Sequence, residues 1–172
     1  FVPVSKNSSI MNYDIGILLS MLLKSKCSSV ICGMFGDIWK VLDLPQENIL
    51  ANTVEMKERK NEVGMSTNAY KVIDYLVENR IKMDKVMMFT DMEMWDSRHR
   101  GRHIQKSWNR YRQMYPEARL YLFDLSGYGN TPLKLVSDNV ALIAGWSDKV
   151  FDVLKAIENG EDALAQINKI EI

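Results

Sequence analysis

A short apolar run that ends in an acidic loop holds the residues best placed for chemistry. The run, residues 85–90, has the length of a β-strand, and it ends at Thr90 and Asp91 before an acidic, aromatic segment that continues to Asp96. In open α/β sheets, ligands bind outside the carboxyl ends of the strands. A carboxylate in that position faces a ligand, most often a cation, rather than a core. Asp91 is therefore the first candidate functional residue.

Two further polar loops are predicted at the same edge of the sheet. Residues 5–9 follow a short strand candidate, residues 1–4, and residues 64–68 precede a helix. Their hydroxyl and amide oxygens, together with the Asp91 carboxylate, form a set of hard ligands that suits Mg²⁺, which takes few direct protein ligands and keeps several waters. Serine and threonine in loops also cap helices and turns, so a purely structural role stays open for each hydroxyl.

A basic segment without acidic residues, positions 97–116, is the second candidate surface. Trp108 and Tyr111 lie among its cations, and Trp95 comes just before them. Arginine and aromatic side chains together suit a single-stranded nucleic acid, through phosphate contacts and base stacking. The alternative is a solvated helix face with Trp108 and Tyr111 packed inward at i, i+3. The candidate nucleic-acid-binding residues are Arg98, Arg100, Arg102, Lys106 and Arg110.

Strands and helices alternate along the chain, which predicts an α/β fold. The central sheet is expected to be mostly parallel, with helices on both faces in a three-layer, Rossmann-like arrangement. A hairpin early in the chain, at residues 29–35 and 38–42, implies one antiparallel strand, and Asn12 is expected to cap the first helix. The remaining predicted elements are helical segments at residues 45–62, 69–77, 101–114, 149–158 and 162–169, and strands at residues 85–90, 119–125 and 139–144.

Length and charge limit the classes of protein to consider. The 172 residues suit one domain, residues 1–172. Lys and Arg together number 22, as do Asp and Glu, so net charge predicts no nucleic-acid or membrane partner. Any such partner must be argued from a local patch. Phe1 is not a natural start residue, and we expect the chain to be a piece of a longer protein.

Sequence features also indicate a compartment. No apolar run reaches the length of a membrane span, and no signal-peptide pattern opens the chain. Two cysteines are too few for a disulfide scaffold, and Cys32 is expected to be a buried thiol. These features together predict an intracellular, cytoplasmic protein.

The order of elements and the polar loops resemble a von Willebrand factor A (vWA) domain. That family builds a metal-ion-dependent adhesion site from Asp-x-Ser-x-Ser after the first strand, a Thr from a second loop and an Asp from a third. Thr67 matches the Thr, Asp91 the third-loop Asp and Ser9 the last Ser, whereas Ser5 replaces the first Asp and Asn7 the middle Ser. The resemblance implies these five residues as metal ligands. One of two site carboxylates is missing, so we expect Mg²⁺ or Mn²⁺ to bind weakly or not at all, with an acidic partner group able to supply the missing carboxylate.

The C-terminal half is similar to the vWA half of Ro autoantigen (TROVE) proteins. The segments that carry this similarity are residues 89–96, 108–115, 121–125, 127–129 and 143–151. Such proteins pair a ring of helical repeats, which binds Y RNAs and misfolded RNA ends, with this domain. No pattern of such a ring occurs in these residues. The resemblance implies a non-enzymatic binding module whose partner is a small, Y-like RNA in the context of a larger protein, with no membrane involved.

Two other functions stay open. A Mg²⁺-dependent, phosphatase-like enzyme would use Asp91 as nucleophile, and it would need a second carboxylate at a strand end, for which Asp124 is the candidate. A metal-free protein-interaction scaffold would use Trp95 and the basic helix. No Ser-His-Asp signature and no phosphate-cradling glycine loop occurs, which argues against the enzyme. The binding module is favoured, and the scaffold stays close to it because Ser5 replaces the first Asp of the metal site.

Overall fold

The computed structural model describes residues 3–90, 100–126 and 139–145, with the helical positions 152, 154 and 155; for residues 100–103 it describes the backbone alone. The helices are α1 (Asn12–Lys26), α2 (Ile49–Glu58), α3 (Tyr70–Glu78) and α4 (Arg100–Met114), with a 3-10 segment at Arg59–Val63. The strands are β1 (Gly33–Phe35), β2 (Trp39–Val41), β3 (Lys85–Thr90), β4 (Arg119–Asp124) and β5 (Val140–Ala144). Within these residues, every helix is too short or too polar to cross a membrane.

A parallel three-stranded sheet, in the order β3-β4-β5, forms the centre of the fold. Its register places Thr90 opposite Asp124, and Asp124 opposite Ala144. All three strands therefore end at one edge, which we call the carboxyl edge. The predicted α/β class and the predicted strand at Lys85–Thr90 are confirmed.

Helices cover both faces of this sheet, as a three-layer fold requires. One face packs against α3 and α4, and the other packs against α1 and the helical residue Leu154. The residues on the α3–α4 side are Val86, Met88, Leu120, Leu122, Val140 and Leu142. Those on the α1 side are Met87, Phe89, Tyr121, Phe123, Leu125, Ala141 and Ile143. Successive side chains of a strand point to opposite faces, so apolar residues at every position bury both sides.

The early hairpin forms as predicted, although β1 is shorter than the apolar segment that suggested it. Strands β1 and β2 pair antiparallel with Phe35 opposite Trp39, and they make a separate two-stranded sheet. A Cβ on Gly33 would collide with the Lys40 carbonyl oxygen and the Trp39 ring, so the two strands need glycine there. Cys32, just before β1, is buried and free, which confirms the expected buried thiol. Burial raises the pKa of that thiol.

The start of α1 differs from the prediction. Met11, not Asn12, is the capping position, and the Met11 N–H donates to the Asp14 carboxylate at 2.9 Å. Asn12 is the first helical residue; it is buried, and its side-chain amide donates to the Ser126 hydroxyl at 2.9 Å. The prediction that Asn12 caps the helix is therefore wrong, because its side chain donates to Ser126 in a distant loop instead.

The predicted first strand is described only in its second half. Pro3 makes an isolated antiparallel bridge with Met11, and the Val4 N–H donates to the Ile10 carbonyl at 2.9 Å. These contacts close residues 3–11 into a short loop that precedes α1. Residues 1–2, the helix predicted at 162–169 and most of that predicted at 149–158 lie outside the described residues.

Two leucines test the placement of the core. Leu122 is 1 % exposed in the central strand, whereas Leu50 is 75 % exposed on α2. Leu122→Ala is expected to lower the free energy of unfolding by about 2–5 kcal/mol, because removing the methyl groups leaves a cavity. Leu50→Ala removes the same atoms from the surface and should change the free energy of unfolding by about 0.5 kcal/mol or less. Urea denaturation of both variants measures the difference; equal losses would contradict the described core.

Candidate functional site

The carboxyl edge holds two buried polar side chains in adjacent strands. Thr90 ends β3 and is 7 % exposed, and Asp124 ends β4 and is fully buried. Backbone hydrogen bonds extend the ladder past both residues: the Leu125 N–H donates to the Thr90 carbonyl at 2.8 Å, and the Gly145 N–H donates to the Asp124 carbonyl at 2.7 Å. Asp91, the first candidate ligand, follows Thr90 in the chain and lies outside the described residues.

Asp124 organises the turn that leaves β4. Its Oδ1 accepts a hydrogen bond from the Ser126 N–H at 3.0 Å, and the Ser126 hydroxyl accepts one from Asn12 at 2.9 Å. The sequence placed Asp124 at this edge as a second carboxylate for an enzyme. The structure places it at the edge but buries it in a network that connects β4 to the first turn of α1.

The loop at residues 5–9 leads into α1 and therefore approaches the same edge. Ser5, Asn7 and Ser9 are exposed, and the loop is closed by a hydrogen bond from the Ser8 N–H to the Ser5 carbonyl at 3.0 Å. The Ser8 hydroxyl also accepts from the Ile10 N–H at 3.0 Å. The loop thus has its own local structure, and its three predicted ligand side chains face solvent.

Thr67 lies at the same edge by the topology of the chain. It precedes α3, which packs on β3 and is joined to it by the short connection of residues 79–84. The chain reverses direction in that connection, so the start of α3 lies beside the end of β3. Thr67 is half-buried. The predicted ligands Ser5, Asn7, Ser9 and Thr67 therefore come from two loops at one edge.

A group of contacts between Asp37 and residues 63–66, which we call the Asp37 clasp, holds the Thr67 loop in place. The sequence alone did not predict it. The Asp37 carboxylate, in the turn between β1 and β2, accepts hydrogen bonds from the Ser66 hydroxyl and from the N–H groups of Met65 and Ser66. The Asp37 N–H donates in return to the Val63 carbonyl at 2.6 Å. Gly64 has φ +81°, and a Cβ there would collide with the Asp37 carboxylate, so this approach requires glycine.

The chemistry of the predicted metal ligands is largely neutral. Ser5, Ser9 and Thr67 offer hydroxyl oxygens and Asn7 offers an amide oxygen. Nowhere in the described ranges do three or more His, Cys, Asp or Glu side chains cluster. A cation at this edge would therefore depend on Asp91, or on a partner's acid, for its charged ligand.

The basic helix α4 divides cleanly into an inner and an outer face. Trp108 and Tyr111 are 2 % and 0 % exposed, and their rings stack with centroids 5.5 Å apart. The Tyr111 hydroxyl donates to the Ile81 carbonyl at 3.0 Å and accepts from the Met83 N–H at 2.7 Å. Neither ring can stack on a base, so that part of the nucleic-acid prediction is wrong and the inward packing is confirmed.

Two of the five predicted cations have side chains that the structure describes, and both lie on the outer face of α4. Lys106 and Arg110 are exposed, one helical turn apart. Arg100 and Arg102 belong to the backbone of α4, whereas Arg98 and Trp95 lie outside the described residues. The two described cations therefore form a solvent-facing basic surface on the α4 side of the sheet.

Comparison with known proteins adds one likeness in fold. No protein-family model matches this chain, and no curated protein matches it. The crystal structure of the Deinococcus radiodurans RO (RSR) protein superposes on 94 % of this chain with a TM-score of 0.72 at 15 % sequence identity. This chain has a Ro-like fold. It spans 32 % of the length of that RO protein, and at this identity the likeness extends to the fold alone.

The Asp37 clasp predicts an acid-sensitive contribution to stability. The Ser66 hydroxyl, followed by the backbone N–H groups, holds the pKa of Asp37 below its ordinary value of 3.8. The stabilisation is present above that ordinary value and is lost as pH falls through the lower pKa of the folded state. Asp37→Asn should lower the free energy of unfolding at neutral pH and flatten its decline between about pH 5 and pH 2.

Chemical denaturation at several pH values measures this effect. Asp43→Asn is the matched control, because it removes an exposed carboxylate at the other end of β2 without altering the clasp. A decline with pH that is the same in Asp37→Asn and in the unmodified chain would contradict the clasp.

Proposed function

We propose that this chain is a non-enzymatic, vWA-type binding module of a Ro/TROVE-like RNA-binding protein. The observation that carries the proposal is the fold shared with the RO protein over 94 % of the chain. The polar loops at the carboxyl edge and the exposed cations of α4 support it. On this proposal the partner is a small, Y-like non-coding RNA, bound in the cytoplasm in the context of a larger protein.

The RNA would contact the outer face of α4. Positive and negative residues balance over the whole chain, so attraction for phosphate must come from a local surface. Residues 97–116 supply cations without a single acid in the sequence, and Lys106 and Arg110 present theirs to solvent. We propose Arg98, Arg100, Arg102, Lys106 and Arg110 as the phosphate-binding set.

The carboxyl edge would serve as a degenerate metal-ion-dependent adhesion site. Ser5, Asn7, Ser9, Thr67 and Asp91 would hold Mg²⁺, or Mn²⁺, and the ion would polarise an acidic group of a protein ligand. With four neutral ligands and one carboxylate, the site attracts a divalent cation weakly. A ligand that brings its own carboxylate would restore the missing charge, and this favours an acidic protein partner.

The burial of Asp124 supports a binding role over catalysis. A phosphatase-like enzyme would need this carboxylate beside Asp91, turned toward substrate. Asp124 is fully buried and accepts a hydrogen bond from the Ser126 N–H instead. Moving it to a substrate would leave that N–H without its acceptor, at a cost of about 1–3 kcal/mol.

A metal-free protein-interaction scaffold is the second candidate; the sequence assigned it to Trp95 and the basic helix, and we propose a further surface for it. Ile38 and Met65 are 48 % and 71 % exposed, and the Asp37 clasp holds their two loops together. This small apolar surface borders the Thr67 loop, so a protein partner could bind there without a cation. The metal titration described below separates this scaffold from the adhesion site.

Neutralising the basic helix tests the RNA proposal. Combined replacement of Arg100, Arg102 and Lys106 by Gln should weaken RNA binding and lower the slope of log affinity against log salt by about three, one for each cation removed from a phosphate. Fluorescence anisotropy at several salt concentrations measures both quantities. A variant with Lys26, Lys82 and Lys155 replaced by Gln, all exposed, is the control for net charge. An unchanged salt slope in the α4 variant would reject this surface.

A titration with Mg²⁺ and Mn²⁺ tests the adhesion site. Thermal shift and calorimetry of the unmodified chain should show a weak response that Asp91→Ala abolishes, since Asp91 is the one charged ligand of the predicted set. Asp43→Ala, which removes an exposed acid elsewhere, should keep the response. No response in the unmodified chain would exclude the adhesion site and favour the scaffold.

A further inference from the structure

The outer face of α4 combines cations with amide side chains. A shallow, open depression runs along the helix, lined by Gln105, Lys106, Asn109, Arg110 and Gln113. Lys106, Asn109, Arg110 and Gln113 are exposed. Amide side chains thus alternate with cations along about 10 Å of helix.

Over the part of α4 whose side chains the structure describes, the outer face offers no aromatic ring for stacking on a ligand. The two rings that the sequence places among the cations, Trp108 and Tyr111, belong to the core. Tyr115, just after α4, is half-buried and donates to the Arg80 carbonyl at 2.8 Å. Binding of single strands depends on aromatic platforms for the bases, and the described part of α4 presents none to solvent.

We infer that the outer face of α4 binds the sugar–phosphate backbone of double-helical RNA. This inference rests on the proposed RNA-binding function and specifies the form of the RNA. Lys106 and Arg110, about 6 Å apart along the helix, supply cations for phosphates. Asn109 and Gln113 supply amides that both donate and accept, which matches the 2′-hydroxyl. Double-helical RNA is recognised through its phosphates and 2′-hydroxyls.

An acidic neighbour, Asp74, weakens the attraction of Arg110 for phosphate. Its guanidinium lies 4.0 Å from the Asp74 carboxylate on α3, and the Ser107 hydroxyl donates to the same carboxylate at 2.6 Å. Asp74 therefore joins α3 to α4 and partly offsets the charge of Arg110. Asp74→Asn keeps an acceptor for Ser107 and removes the offset, so it should tighten binding.

The test compares three probes of one sequence: a 20-base-pair RNA duplex, the matching DNA duplex and an unstructured single-stranded RNA. The unmodified chain should prefer the RNA duplex to both. Lys106→Gln with Arg110→Gln should weaken binding to both duplexes by roughly tenfold. Asn109→Ala with Gln113→Ala should reduce the preference for RNA over DNA by roughly tenfold and leave the salt slope unchanged. Asp74→Asn should tighten binding about two- to fivefold.

Two matched controls isolate the α4 face. Lys26→Gln with Lys155→Gln removes two exposed cations on the α1 side of the sheet, and Asn61→Ala removes an exposed amide of the 3-10 segment. Thermal unfolding of every variant reports whether it folds, and a gain in Asp74→Asn cannot come from misfolding. Tighter binding of the single strand would overturn this inference while leaving the proposed function in place. No binding of any RNA would overturn both.

Discussion

Burial of the central sheet on both faces is the constraint on which the rest of the structure depends. Strand β4 shows it most clearly, because five of its six residues are buried and the sixth is half-buried. A strand with apolar neighbours on both sides has no face for polar groups, so they collect where the strands end. Thr90 and Asp124 occupy those ends. The same constraint takes Trp108 and Tyr111 from α4 into the core and leaves the cations of that helix in solvent.

At the carboxyl edge, some polar groups hold the structure together and others face solvent. Asp124, Ser126 and Asn12 connect the end of β4 to the start of α1, and Asp37 fixes the loop that carries Thr67. Both carboxylates are committed to N–H and hydroxyl donors of the protein itself. The side chains left toward solvent at Ser5, Asn7 and Ser9 are neutral. An edge built in this way is suited to a ligand that contributes charge of its own.

The sequence predicted the elements whose signals are local and missed the contacts between distant segments. The apolar run of β3 was sufficient, because burial acts on it directly, whereas the i, i+3 spacing of Trp108 and Tyr111 left base stacking and inward packing both open until the structure decided for packing. Asn12 looked like a helix cap from its neighbours alone, yet its partner is Ser126, 114 positions away. Asp37 resembled an ordinary turn residue for the same reason. No spacing rule connects it to Ser66, since only the folded chain brings the two loops together.

A neutral chain that binds RNA must do so with geometry as well as charge. Equal numbers of acidic and basic residues give little long-range attraction, and salt screens what remains beyond about 8–10 Å. On the proposed function, phosphate contacts from the two described cations would supply modest affinity, and amides at helical spacing would add hydrogen bonds that salt does not screen. On the proposed function, such a surface binds RNA weakly by itself. Within a larger protein, as proposed, it would orient an RNA bound elsewhere in that protein, since a second contact within one complex forms at high effective concentration.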